Sequence, residues 1–240
     1  MPIYFIADLH LHETRPEVTQ AFFRFLDEQM KDAEALYILG DFFDTWIGDD
    51  DDIAIGHEVA AKLHALNEKG TAIFLMHGNR DFLLGKEFAA RAGATLIPEG
   101  IVIDLFGCLT LLLHGDNLCT GDAQYQTFRQ QVRSSQWQQQ ILSQPLAARR
   151  ALASQIRAES QSMNALKAEN IMDVTQDEVV RVMKDAGVRR LIHGHTHRPA
   201  HHALSIDGTP AERIVLGDWH SDGWCIKVDE KGLQLLSWPL

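Results

Sequence analysis

The sequence predicts an α/β fold carrying a helical insertion, and three observations lead there. Six short apolar runs end in Asp, Asn or His, mostly beside Gly. Segments with apolar residues at helical spacing lie between several of them. Residues 124–170 then break the rhythm with a Gln/Arg/Ala-rich stretch of high helix propensity.

The elements follow in order. Ile3-Tyr4-Phe5-Ile6-Ala7 is rich in strand formers and stops at Asp8-Leu9-His10, the pattern of a buried strand delivering polar groups at its carboxyl end. Pro16 suits the first turn of a helix in which Val18, Ala21, Phe22, Phe25, Leu26 and Met30 form one stripe. Ala35–Leu39 runs into Gly40-Asp41, and Ala72–Met76 runs into His77-Gly78-Asn79-Arg80-Asp81. Between them a helix is expected over about His57–Lys69, closed by Gly70. Leu109–Leu113 ends at His114-Gly115-Asp116. A capping box from Thr175 to Glu178 opens a helix that Gly187 closes, and Arg190–Ile192 then ends at His193-Gly194-His195. Ile214–Leu216 ends at Gly217-Asp218-Trp219-His220. Ligands of open α/β sheets gather at the carboxyl ends of strands, so the active site is expected along that edge.

The 240 residues, 45% hydrophobic and 23% charged, fit one globular domain with a sizeable core and an insertion. No apolar run reaches the roughly 18 residues of a membrane span, and Met1-Pro2 passes into the first strand without a basic leader, so neither a span nor a signal peptide is expected. Cys108, Cys119 and Cys225 are sparse and scattered, which predicts free thiols in a reducing cytoplasm. A net charge of −11 argues against broad nucleic-acid binding. Within residues 124–170, Arg129, Arg133, Arg149, Arg150, Arg157 and Lys167 face two acids, Glu159 and Glu169, giving +4 and leaving −15 for the remainder. That contrast marks 124–170 as a helical cap facing something anionic, on a core of residues 1–123 and 171–240. Trp137, Ile141, Leu142, Leu146, Leu152, Ile156, Met163 and Leu166 give the cap scattered apolar surface. The acidic run Asp49–Asp52 reads as a solvated loop, with a structural role left open.

The candidate site joins Asp8-x-His10, Gly40-Asp41, Gly78-Asn79-Arg80, His114 and Gly194-His195-x-His197. Imidazoles mixed with carboxylates suit Mn, Fe or Zn, whereas an oxygen-only set would favour Mg or Ca. His12, His77 and His193 are expected to hydrogen-bond beside the ligands, and His57, His64, His201, His202 and His220 to lie on the surface or in loops.

These five blocks, in this order, resemble the calcineurin-like metallophosphoesterase superfamily. The resemblance implies a four-layer α/β/β/α sandwich with Asp8, His10 and His197 on one metal, Asn79, His114 and His195 on another, and Asp41 bridging. Two cations about 3.5–4 Å apart share a hydroxide of lowered pKa and bind phosphoryl oxygens, so no Ser or Cys nucleophile is needed. Many members carry His after this Asn, able to protonate an alkoxide; Arg80 stays charged near neutral pH and suits a bidentate clamp on a diphosphate.

Phe5–Leu11, Tyr37–Phe43, Trp46–Asp51, His77–Leu83 and His193–Pro199 resemble the UDP-2,3-diacylglucosamine diphosphatase family of lipid A biosynthesis more closely. This implies two Mn²⁺ ions per chain and water attack on the α-phosphorus of a lipid-linked UDP-sugar, giving UMP and 2,3-diacylglucosamine 1-phosphate. It also implies acyl chains held between cap and core, and a peripheral position on the cytoplasmic face of the inner membrane, with no nucleic acid and no obligate protein partner. Matching positions make Asp41, Asn79, Arg80 and His195 catalytic, and Asn79, Arg80, Asp122, Ser160, Asn164, Lys167 and His195 substrate contacts. Ser160, Asn164 and Lys167 recur at helical spacing and would share one face. Two alternatives stay open: a dinuclear metallophosphoesterase acting on another nucleotide diphosphate or phosphodiester, and a non-enzymatic scaffold of this fold, against which the full ligand set counts.

Overall fold

A computed structural model describes residues 1–164 and 173–240. The first half contains β1 (Ile3–Ile6), α1 (Pro16–Gln29), β2 (Ala35–Leu39), α2 (Ala54–Asn67), β3 (Ala72–Met76), α3 (Lys86–Arg91), β4 (Thr95–Leu96), β5 (Ile101–Leu105) and β6 (Cys108–Leu112). Three helices follow, α4 (Ala123–Val132), α5 (Ser135–Leu142) and α6 (Leu146–Asn164), then α7 (Gln176–Asp185). The chain closes with β7 (Arg190–His193), β8 (Ala200–Ile206), β9 (Thr209–Val215), β10 (Asp222–Asp229) and β11 (Gly232–Pro239).

The six apolar runs become β1, β2, β3, β6, β7 and β9, which pair in parallel within two sheets, with the two-residue β4 added in parallel beside β3. One sheet has the order β11-β10-β1-β2-β3-β4 and the other β5-β6-β7-β9-β8. Side chains alternate across a strand, so each sheet has two faces to cover. Phe5, Leu39 and Ile226 of the first sheet meet Leu112, Ile192 and Ile214 of the second in one buried cluster. The opposite face of the first sheet, with Tyr4, Ile38 and Ile73, packs on Phe22 of α1, Leu63 of α2 and Phe88 of α3. Leu111 and Leu191, on the far face of the second sheet, pack on Val179 and Met183 of α7. The result is the four-layer α/β/β/α sandwich.

Several local expectations are corrected. The second helix starts at Ala54, after an extended Ile53, and ends at Asn67, short of Gly70. Thr175 stands before α7 without forming the expected capping box. Its N–H already donates to the Leu118 carbonyl at 2.9 Å, and the Glu178 carboxylate is held by Arg181 at 2.6 and 2.8 Å. Asp49 is no solvated loop residue: it accepts from the Gly85 and Phe88 amides at 2.9 and 2.8 Å and from the Trp46 indole at 2.9 Å, capping α3.

Helices α4 to α6 are bound to the core by charge. Arg149 pairs with Asp50, Arg150 with Asp51, and Arg129 with Asp116 and Glu99. Arg157 meets Asp44 at 2.8 Å, and Arg133 donates to the Gly78 carbonyl at 2.8 Å. The anionic surface that these arginines face is therefore the protein's own core. Among the described residues no helix is long and apolar enough to cross a membrane.

The two sheets approach closely at Gly194, just past β7, where a Cβ would lie 2.2 Å from Asp8 Oδ2 and 2.7 Å from the Ala7 Cβ. Gly194→Ala is expected to lower unfolding free energy by about 1–3 kcal/mol through overpacking, measured by urea titration; an unchanged midpoint would contradict this apposition.

Candidate active site

The site is assembled where the parallel strands end. After β1 and β2 the chain turns at once: Asp8 (φ 56°), His10 (φ 49°) and Asp41 (φ 49°) occupy the left-handed region, as do His195 (φ 69°) and His197 (φ 54°) after β7. Non-glycine residues held there cost about 1–3 kcal/mol each, and such strain clusters at functional sites. Surrounding hydrogen bonds enforce it. Asp8 N–H donates to the Gly40 carbonyl (3.1 Å), His10 N–H to Asp41 (3.0 Å), Gly194 N–H to His114 (2.8 Å) and Trp219 N–H to Asp8 (3.1 Å).

These turns bring all seven expected ligands together. His197 Nε2 lies 3.5 Å from Asp8 Oδ1 and 3.3 Å from His10 Nε2. His114 Nε2 and His195 Nδ1 lie 2.9 and 2.8 Å from Asn79 Oδ1. Asp41 stands between the groups, with Oδ1 3.6 Å from His114 Nε2 and Oδ2 3.9 Å from His10 Nδ1. Two sets of atoms able to ligate a metal ion converge, Asp8 with His10 and His197, and Asp8 with Asp41 and His114.

The electrostatics fit divalent cations. Asp8 Oδ1 and His10 Nδ1 are buried without a hydrogen-bond partner among the described residues, a costly arrangement for groups that no ion engages. Burial pushes His10 down to about 2 and His195 down to about 4, so both imidazoles are neutral and keep a lone pair to donate. Burial also pushes Asp41 up to about 7, opposed by His114 and reinforced by Asp81 and Asp8. Burial would lower His114, but Asp41, Asp8 and Asp116 outweigh it and raise it to about 9. A histidine raised so far marks a surplus of buried negative charge that cations would neutralise.

Side chains beyond the predicted set hold this arrangement. The Asp81 carboxylate accepts from the Phe42 amide at 2.7 Å and the Gly78 amide at 2.8 Å, joining the turns after β2 and β3. Asp44 receives Arg80 at 2.9 Å and Arg157 at 2.8 Å. Asp218 lies 3.6 Å from His197 Nδ1. Tyr125 donates to Asp116 at 2.6 Å while its ring stacks 6.3 Å from that of His195. Asp81 and Asp218 sit inside the strand-end blocks, which was the available signal; Asp44 and Tyr125 carry none. The neighbouring histidines are engaged as expected: His77 Nε2 with the Leu84 carbonyl at 2.6 Å, His12 with Thr14 at 2.8 Å, and His193 with Gly194 and Arg213.

A cleft of about 560 Å³ opens over these groups. Its floor includes Asp41, Asn79, Arg80, His195 and His197, and its far wall is apolar, with Phe128, Trp137, Ile141, Leu152 and Ile156. Asp122 and Ser160 also line it. Lys167 and the side chain of Asn164 lie outside the described residues, as do the side chain of Met163 and Leu166.

The profile of the calcineurin-like phosphoesterase family matches residues 1–199. A UDP-2,3-diacylglucosamine hydrolase of Cellvibrio japonicus is 65% identical over 240 residues, covering 100% of both chains. Another, of Pseudomonas aeruginosa, is 52% identical over the same span, and one of Hahella chejuensis is 50% identical over 99% of this chain and 97% of its own. Among solved structures, an archaeal phosphodiesterase covers 100% of both chains with a TM-score of 0.49 and 14% identity. With the ligand groups converging at the strand ends of a four-layer sandwich, the chain belongs to the calcineurin-like phosphoesterase family and, within it, to the UDP-2,3-diacylglucosamine hydrolases.

Proposed function

We propose that the protein hydrolyses the diphosphate bond of UDP-2,3-diacylglucosamine by water attack on the α-phosphorus, giving UMP and 2,3-diacylglucosamine 1-phosphate for lipid A biosynthesis. The observation that carries this reading is the single cleft whose floor gathers carboxylates, imidazoles and Arg80 while its wall is apolar. A substrate with a diphosphate joined to acyl chains matches both surfaces, and a small soluble phosphodiester matches only the first.

Asp8, His10 and His197 would hold one cation, Asn79, His114 and His195 the other, with Asp41 shared, and Mn²⁺ is the metal that this reading favours. When bound, such a pair supplies a water of lowered pKa and neutralises phosphoryl oxygens. The chain's own residues do the rest. Arg80, oriented by Asp44, clamps the diphosphate and offsets charge growing on the departing sugar phosphate. That leaving group needs no proton, which agrees with an arginine where a general acid would otherwise stand. His195 and Asn79 touch the reacting phosphoryl group. Residues 124–170 serve as a lid on the core of 1–123 and 171–240, in which Trp137, Ile141, Leu152 and Ile156 receive acyl chains and exclude water. Asp122, Ser160, Asn164 and Lys167 contact the sugar and phosphate, and the enzyme works peripherally on the cytoplasmic face of the inner membrane.

In ¹⁸O water, the Mn-loaded protein is expected to place label in UMP from UDP-2,3-diacylglucosamine, read by mass spectrometry beside UDP-N-acetylglucosamine and an aryl phosphodiester. Preference for either control would overturn the reading. Arg80→Ala is expected to lower kcat by about 10²–10³-fold while calorimetry still counts two Mn²⁺; loss of a metal would remove the clamp role. Mn²⁺ at about 100 times the Kd of each of the two sites is expected to raise unfolding free energy by about 5.4 kcal/mol, about 2.7 from each. That gain is smaller at pH 5 than at pH 9, because protons compete for His114, raised to about 9, and for Asp41, raised to about 7, whereas His10 and His195 stay neutral throughout. A pH-independent gain in thermal melts would show that His114 and Asp41 do not hold the ions.

A further inference from the structure

Beside the main cleft lies a second, smaller pocket of about 200 Å³, lined by Asp173, Thr196, Arg198, Pro199, Ala200, His202 and Arg213. Thr196 and Arg198 line both cavities, and among the described residues none of α4 to α6 lines the small one. Thr196 sits between His195 and His197, so this pocket adjoins the histidines of the main cleft.

Its polar groups are arranged for a ligand. Arg213 is 7% exposed on β9; its Nη1 donates to His193 Nε2 at 3.1 Å, while its Nε is buried with no partner among the described residues. The Thr196 hydroxyl is likewise buried without a partner there. Two buried donors left unmatched beside one another are costly unless an acceptor enters. Facing them is an acceptor, Asp173, whose Oδ2 receives Arg198 Nη1 at 2.7 Å and whose Oδ1 receives the Val174 amide at 2.7 Å. An ionised carboxylate has about four lone-pair sites, so two further bonds are available.

Donors that share a pocket with a carboxylate do not suit a bare phosphate, which the carboxylate would repel. They suit a planar group presenting acceptor, donor and acceptor in a row, the imide edge of uracil, with Pro199 and Ala200 supplying apolar contact. We infer that this pocket holds the uracil ring of the nucleotide half of the substrate, with Asp173 accepting from ring N3–H and Arg213 and Thr196 donating to the ring carbonyls. The assignment rests on the function proposed above and extends it to the selection of the base. His202, half-buried on β8, borders this pocket rather than being a plain surface residue.

The test is calorimetric binding of UMP, CMP and ribose 5-phosphate to the Mn-loaded protein and to Asp173→Asn, with thermal melts to establish that the variant is folded. The wild type is expected to prefer UMP over CMP by about tenfold or more, because cytosine offers an acceptor at N3 where Asp173 needs a donor. Asp173→Asn is expected to bring that ratio to within about twofold, with the affinity for ribose 5-phosphate unchanged. A wild type that binds UMP and CMP equally, or a ratio that Asp173→Asn leaves intact, overturns the assignment. If that happens while UDP-2,3-diacylglucosamine is still hydrolysed, the pocket assignment alone falls. If the base preference responds to Asp173→Asn but that substrate is not hydrolysed, the pocket stands and the substrate reading falls.

Discussion

Everything at the active centre depends on how closely two sheets approach at the carboxyl ends of their parallel strands. Residues from β1, β2 and β3 of one sheet must reach those from β6 and β7 of the other, and side chains of ordinary size would hold the strand ends apart. Gly194 removes the obstruction between the sheets, and Gly78 does the same between the neighbouring turns after β2 and β3. A Cβ on Gly78 would lie 2.1 Å from both the amide nitrogen and Oδ1 of Asp41, and one on Gly194 would meet Asp8. With those side chains missing, Asp8 accepts the His195 amide at 2.8 Å and Asp41 accepts the Arg80 amide at 2.8 Å. The two carboxylates that join the ligand groups are therefore also the groups that fasten one turn to the next. The five left-handed residues of the site follow from the same demand: the chain must turn within two to four residues of each strand end to present these side chains inward.

Charge performs a second task beside the chemistry. The cap arginines look from composition like a surface awaiting an anion, yet the described ones spend their charge on the core. Arg149, buried at 4% exposure, engages Asp50 and donates to the Ile47 carbonyl at 2.7 Å, so its desolvation is offset by several hydrogen bonds at once. Asp44 couples the two parts most directly, since one carboxylate receives Arg80 from the floor and Arg157 from α6. The position of α6 and the orientation of Arg80 are thereby linked. Burying the cap's charge in such pairs leaves the half-buried apolar residues to define what the cleft accepts.

The legibility of the fold follows the burial of each strand. The six strands visible as apolar runs are parallel and mostly covered on both faces, and β1, β2 and β7 are buried almost throughout. Strands of that kind read as continuous hydrophobic stretches. The antiparallel β5, β8, β10 and β11 alternate between covered and exposed positions, as in Gly232–Pro239, and were invisible as runs. The site divides similarly. Asp8, His10, Asp41, Asn79, His114, His195 and His197 stand in short blocks at strand ends, while Tyr125 and Asp44 acquire their roles only from neighbours far along the chain.

The sequence by itself determined the parallel core, the order in which the ligand-bearing turns arrive, the donor chemistry suited to Mn, Fe or Zn, and a helical segment of opposite charge. These are local properties, written in runs of a few residues and in side-chain type. Tertiary structure alone decided which partner each charged group takes. Arg149 meets Asp50 across 99 positions and His195 meets Asp8 across 187, and such pairings depend on packed elements, which no local pattern encodes. For the same reason Asp49 became a helix cap, Glu178 turned from Thr175 to Arg181, and two separate sheets with a bare glycine between them made a single site.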